Sequence, residues 1–215
     1  MAGIAVIGAN GTIGSAVVTE AVARGHEVTA VVRDPDRYRG AAAAVVRGDV
    51  LDPADVARVA AGRAVLVSAV GGGDGPGHLA LIEPAARALV AGLRTLADAA
   101  PRLVAVGGAG SLETAPGVRV WDAPGLPEPI LQIMHAHGAA LDYYRTVSDL
   151  SWTVLSPAAE IVPGERTGRY RTGLEQLLVD AAGRSWISVP DCAVALLDEV
   201  EQPEHIGERF TCCAL

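Results

Sequence analysis

The residues most able to do chemistry come early. In the stretch AVIGANGTIG (5–14), Gly8, Gly11 and Gly14 recur at every third position directly after the apolar run IAVI (4–7). A strand that ends in such a turn and then opens a helix makes a phosphate cradle. Gly8 allows the tight turn, Gly11 lets a pyrophosphate approach the backbone, and Gly14 lets the helix pack close to the strand. Free N–H groups at the helix start, beside Asn10, Thr12 and Ile13, would face the phosphates. The context predicts a bound dinucleotide.

The end of the second strand, EVTAVV (27–32), bears on which dinucleotide. An acidic residue there serves the ribose hydroxyls of NAD. This chain has Arg33 and then Asp34. A guanidinium suits a 2′-phosphate, so NADP(H) is expected and NAD(H) is expected to bind more weakly. The competing reading of Arg33 is a solvated surface side chain. Asp49, followed by Val50, ends the third strand, where a carboxylate can accept the adenine amino hydrogens or simply cap a turn. SAVGGG (68–73) ends the fourth strand, and its Ala69, Val70 and Gly71 are small enough for a ribose to lie against backbone.

Composition narrows the chemistry. All seventeen basic residues are arginine. Schiff bases, the lysine-dependent phosphate loop and any Tyr-x-x-x-Lys pair are thereby excluded. The formal charge of −8 argues against sequence-independent nucleic-acid binding. No apolar run reaches the ~18–20 residues of a membrane span. Strand-like residues begin at Ile4, where a secretory signal would have a basic segment and an apolar stretch. A cytoplasmic protein is expected, and Cys192, Cys212 and Cys213 are read as reduced thiols.

The elements that must position these residues alternate. Strands are predicted at 4–7, 27–32, 43–48, 64–70, 102–108 and 151–156. Helices are predicted at 12–24, after the Asp52-Pro53 start, at 79–99 with Pro84 in the opening turns, and near 130–148. Apolar strands without polar alternation, each followed by a helix, imply a doubly wound parallel sheet covered on both faces. The 215 residues form one domain, with 157–215 read as a cap on the substrate side.

The segments GANGTIG, RGHEVTAVVRDP, GDVLDP, VAVGGAGSLE, LSWTVLSPAAEIVPGERTGRYRTGLEQLLVD and SWISVPDCAVALLDEVEQPEHIGERFT together resemble the NADH-flavin reductase family. These are atypical short-chain dehydrogenase/reductases with an NAD(P)-binding Rossmann fold, related to biliverdin-IXβ/flavin reductase. The resemblance covers nearly the whole chain, and PGERTGRYR…SWIS is its more specific part. It implies an NAD(P)H-dependent reductase acting on a planar acceptor such as free flavin. The chain departs from the larger superfamily in the region IMHAHGAALDYYRTVSDLSWT (133–153): Tyr143 is followed four residues later by Val147 and Tyr144 by Ser148.

Two catalytic candidates remain. Ser111 in GGAGS follows strand five and matches the superfamily's active-site serine; it can instead cap its loop. His137 matches, allowing one inserted residue, a histidine that faces the substrate in biliverdin-IXβ/flavin reductase. An imidazole near neutral pKa could return a proton there; a surface histidine at a helix start is the other reading. His135 and His137 diverge by about 200° on a helix, and no Cys or Glu cluster joins them, so no metal is expected. Two other functions stay open: a redox sensor that binds NADP(H) without turnover, and a reductase or isomerase of a specialised metabolite. The expected partner is the small planar acceptor, for a monomer or homodimer.

Overall fold

The computed structural model describes residues 1–215. Alternating strands and helices begin with β1 (Gly3–Ile7), α1 (Thr12–Ala23), β2 (Glu27–Val32), β3 (Ala44–Arg47), α2 (Pro53–Ala60), β4 (Val65–Ser68), α3 (Gly75–Arg94) and β5 (Arg102–Val106). A small hairpin follows, β6 (Glu113–Ala115) and β7 (Val118–Arg119), then α4 (Glu128–Arg145) and β8 (Trp152–Pro157). The chain ends with β9 (Glu160–Val162), β10 (Tyr170–Gly173), β11 (Trp186–Ser188), α5 (Val189–Glu201) and β12 (Glu208–Ala214).

The expected doubly wound sheet is present. Its order is β10-β12-β8-β5-β4-β1-β2-β3. Every neighbouring pair is parallel except β10 with β12 at the edge. Side chains alternate across it, as a pleated strand requires. Ile4 and Val6 of β1 join the core under α1 and α5, whereas Ala5 and Ile7 join the core under α2, α3 and α4. Both faces are therefore apolar, which is why these strands show no polar alternation.

Asp74 caps α3 by accepting from Gly77 N–H at 2.7 Å. The helix thus starts four residues before the expected 79, and Pro84 falls in its interior rather than its opening turns. Proline there removes one intrahelical donor.

The C-terminal segment divides. The apolar face of α5 packs on α1, and β12 pairs in parallel with β8, so both complete the main layers instead of capping the substrate side. The physical reason is burial: Cys192 to Leu197 are all 4% exposed or less, most of them held in one core with α1 and the sheet. The buried carboxylate of Glu20 on α1 strengthens this layer. It accepts from Arg24 at 2.7 Å and Arg166 at 2.7 Å, and their guanidiniums hold it down to about 2. Arg24 also reaches Asp198 and Glu201 of α5, each at 2.7 Å. What remains as an extension is 158–188, with the parallel pair β9–β11. Within it, Glu175 and Leu177 clasp the backbone of Glu113, each through a 2.8 Å bond.

Candidate active site

After β1 the chain winds to one side through β2 and β3; after β4 it winds to the other through β5. The strand order reverses between them, and the carboxyl ends of β1 and β4 open a crevice, the place where such sheets bind ligands. Gly8 closes its floor. Its φ is +83°, and a Cβ there would stand 2.5 Å from the Ala69 carbonyl oxygen. A Cβ at Gly14 would run into the Gly8 carbonyl.

Gly11 differs from both. Its φ of −75° and ψ of 166° suit any residue, and its N–H donates to Gly8 O at 2.9 Å. Glycine at this position leaves room above the turn. The room faces the start of α1, which has neither a side-chain cap nor an acidic residue in its first turn. Asn10 and Thr12 are exposed around it and Ile13 is half-buried beneath. An anion placed here meets N–H groups with no partner in the helix. Ala69 and Val70, both half-buried, and the exposed Gly71 form the opposite lip.

Farther along the crevice, Arg33 is exposed and makes no hydrogen bond or ion pair within the chain. It lines a cleft of about 410 Å³ with Arg47, Gly48, Asp49, Asp55 and Arg58. Arg58 donates to the Arg47 carbonyl at 2.8 Å and pairs with the Asp55 carboxylate. Asp55 accepts from Asp49 N–H at 2.9 Å. Asp49 itself uses Oδ1 to accept from Leu51 N–H at 2.9 Å, so it does cap its turn, with Oδ2 left over; Val50 beside it is buried. Asp34 caps the next turn through Asp36 N–H at 3.2 Å. Three guanidiniums therefore gather where sequence reading singled out one. Arg47 and Arg58 carry no local signal, because β2–β3 pairing and the docking of α2 bring them there.

The other end of the crevice lies between β4, β5, α3 and α4. The Gly107-Gly108 corner after β5 presses on α4: a Cβ at Gly108 would lie 3.2 Å from the His137 ring. Gly110 likewise abuts Met134 of α4. These contacts hold the turn that carries Ser111 against α4, the helix that carries His137. His137 also lines a cavity of about 20 Å³, room for one water, with Ser68, Val70, Gly107 and Tyr144.

The chemistry at this junction differs from the expectation. His137 faces His78 of α3, with ring centroids 5.5 Å apart. His78 Nδ1 lies 2.7 Å from the Asp74 carbonyl, an acceptor, so Nδ1 carries the hydrogen; Nε2 lies 3.4 Å from Gly72 N–H. Burial, aided by His78, pulls His137 down to about 4. It is a neutral imidazole at pH 7 and no source of a proton, which corrects the near-neutral titration read from the sequence. Tyr144 is buried, and desolvation pushes its phenol well up. Tyr143 lies under the Arg87 guanidinium, 4.5 Å from its ring centroid. Ser111 Oγ accepts from Nη1 of the buried Arg209 at 2.7 Å. Neither His78 nor Arg209 was singled out in the sequence. No group of three or more His, Cys, Asp or Glu side chains converges as metal ligands would.

A doubly wound sheet whose glycine turn sits at the strand-order reversal defines a Rossmann-type dinucleotide-binding protein. The family described as NAD(P)H-binding matches residues 8–203, and the chain belongs to it. It is 40% identical to the uncharacterized protein YwnB of Bacillus subtilis over 97% of this chain and 96% of that protein. Among solved structures it resembles a candidate exported protein of Burkholderia pseudomallei (43% identity, TM-score 0.89, 99% of this chain and 100% of that one). It also resembles a candidate NADH-flavin reductase of Streptococcus pneumoniae (34%, 0.88, 100% of both). A third is a candidate epimerase of Bacteroides thetaiotaomicron (38%, 0.86, 99% and 97%).

Two outcomes follow from this geometry. Gly11→Val, whose Cβ would sit 3.2 Å from the Gly8 carbonyl oxygen, should fold with a slightly lowered urea midpoint yet lose dinucleotide binding. Gly14→Val, whose Cβ would run into that oxygen, should lower the midpoint by at least the ~1–3 kcal/mol that overpacking costs. Normal binding by Gly11→Val, followed by cofactor fluorescence, would move the phosphates elsewhere. The second outcome concerns pH. Between its unfolded value of about 6.5 and its folded value of about 4, His137 binds a proton only when unfolded. Its contribution to stability is thus complete above about 6.5 and is lost as pH falls toward 4. Urea unfolding at pH 7.5, 6 and 5 should show a steeper loss for wild type than for His137→Gln, by up to one proton in slope.

Proposed function

We propose that the protein is an NADPH-dependent reductase that passes a hydride to a planar acceptor such as free flavin. The observation that carries this reading is the protonation state of the acceptor end. His137, held down to about 4, and Tyr144, pushed up, are both uncharged, and neither is an acid tuned to give up a proton near pH 7. Reduction of an isolated carbonyl needs such an acid. A flavin or quinone does not, because its reduced form spreads the negative charge until water supplies the proton.

When bound, the nicotinamide supplies the hydride with its electron pair. The chain's own groups bind and orient. The glycine turn and the start of α1 take the pyrophosphate, and Arg33, with Arg47 and Arg58 beside it, takes the 2′-phosphate. Asp49 Oδ2 serves the adenine amino group. The lip Ala69-Val70-Gly71 supports the ribose and directs the nicotinamide toward Ser111 and His137. His137 and Ser111 present neutral polar hydrogens to the acceptor. The structural likeness to the Streptococcus pneumoniae protein, described as a candidate NADH-flavin reductase, supports the reading. An epimerase, as the Bacteroides thetaiotaomicron protein is described, that works by proton transfer needs a base and an acid on opposite sides of a carbon, and a histidine titrating near 4 serves poorly as either. Three buried, unpaired cysteines support residence in the cytoplasm, and the absence of any helix long and apolar enough to cross a membrane is consistent with it. We take the working unit as a monomer or homodimer.

The cofactor part is tested by titration. NADPH should bind roughly tenfold or more tighter than NADH, since a charge-assisted hydrogen bond contributes ~1.5–3 kcal/mol. Arg33→Ala should remove most of that difference and Arg47→Ala a smaller share. Equal affinities in wild type would refute it. The acceptor part is tested by anaerobic mixing of protein and NADPH with a panel of flavins and quinones, followed at 340 nm. Ser111→Ala and His137→Ala should slow turnover while NADPH affinity stays near wild type; the losses should sit at the low end of the ~10²–10⁴-fold range of acid–base help, or below it. Tight NADPH binding with no turnover on any acceptor would favour a sensor.

A further inference from the structure

Arg209 is a buried cation that the cofactor does not use. Its side chain is 1% exposed, and it lies on β12 in register with Val154 of β8, which in turn is in register with Ala105 of β5. That row meets the carboxyl end of β5, so the guanidinium lies behind the Ser111 turn. One arm donates to Ser111 Oγ at 2.7 Å, and the other pairs with Glu175. Glu175 is shared with Arg145, at 2.9 Å, and its backbone is clasped to Glu113. The Nε–H of Arg209 is buried without a partner. An ion so placed adds little to stability, because burying a guanidinium costs about what the pair returns.

Its effect on Ser111 is definite. A guanidinium has only hydrogens to offer. Ser111 Oγ must therefore accept from it, and the hydroxyl's own hydrogen is left over. No group of the chain accepts that hydrogen. It is free to be donated into the crevice from an oxygen already polarised by a full positive charge.

We propose that Arg209 is a positioning residue that fixes the Ser111 hydroxyl as a donor and thereby selects acceptors that gain negative charge on an oxygen or nitrogen as the hydride arrives. The inference rests on the reductase reading for its substrate class and on geometry alone for the Arg209–Ser111 pair. The acceptors it favours are conjugated carbonyls and imines, in which the incoming electron pair ends on a heteroatom next to the hydroxyl. Water then supplies the proton. Arg209 touches neither cofactor nor acceptor.

The test reads the pair without any ligand and then with one. In Ser111→Cys the introduced thiol should lose its proton at least ~1 unit below the ordinary thiol value of about 8.5, as thiols beside arginine do. The readout is the pH dependence of its alkylation by iodoacetamide, assigned by peptide mass. The native cysteines are all 0% exposed and label slowly. Adding Arg209→Met should return the thiol to about 8.5, and Arg209→Lys should keep part of the depression. An ordinary thiol value in the presence of Arg209 overturns the proposal, and this arm needs only the folded Ser111→Cys protein. The second arm is turnover of riboflavin with saturating NADPH. Ser111→Ala and Arg209→Lys should each lower kcat by roughly tenfold, and the double variant should lose no more than either alone, because residues acting as one unit are not additive. Multiplied losses overturn the proposal. A depressed thiol with no turnover on any acceptor refutes the reductase reading and leaves the donor assignment standing.

Discussion

The architecture depends on one close backbone approach at the end of β1. Gly8 turns there with φ of +83° and abuts the Ala69 carbonyl, and Gly14 in turn abuts the carbonyl of Gly8. No side chain fits at either contact. Together they set how near α1 comes to the sheet and how near β1 comes to the end of β4. With α1 fixed, its buried Glu20 sets where Arg24 and Arg166 lie, and Arg24 reaches across to α5. A helix 170 residues away in sequence is thus held by the geometry of a seven-residue turn.

The crevice that this turn creates has two ends of opposite electrostatic character. At one end Arg33, Arg47 and Arg58 stand in an open cleft, Arg58 paired with Asp55 and Arg33 without a partner, where water lowers the cost of keeping them charged. At the other end His78 and His137 are packed between α3 and α4, and desolvation keeps His137 neutral. The cation at this second end is withdrawn behind Ser111, where Glu175 balances it. An anionic group is favoured at the first end and an uncharged ring at the second. A dinucleotide with its phosphates toward the arginines and its nicotinamide toward the histidines has that distribution.

What was legible in the sequence is what local pattern controls. The glycine turn, the parallel strands and the covered faces all show as short-range periodicity, and each lies where expected to within a few residues. What was not legible depends on distant packing. Arg209 meets Ser111 across 98 positions, and nothing near either residue marks the pair. His137 could be located through family resemblance, yet its protonation could not, because the burial that sets it comes from α3. The reading of 157–215 as a substrate-side cap misled for a related reason. Whether its helix covers the substrate side or packs on α1 is decided by the position of α1, which no local window contains. Pro84 misled because the capping Asp74 sits in a glycine-rich run that reads as loop.

The absence of lysine gives the reductase reading its chemical shape. In a tyrosine-based reductase a neighbouring lysine lowers the phenol's pKa until it can exchange a proton near neutral pH. Arginine can bring the charge, but not a proton, because it stays protonated throughout the accessible range. Here Arg87 lies over Tyr143 with no proton to exchange, and burial pushes the Tyr144 phenol up, away from neutral pH. The acceptor end therefore holds hydrogen-bond donors and no acid tuned to exchange its proton near pH 7. Such a site stabilises charge where it develops but does not neutralise it, so the rate depends on how well the acceptor itself tolerates the charge. A simple ketone tolerates it poorly. A ring system that spreads the charge over several heteroatoms tolerates it well.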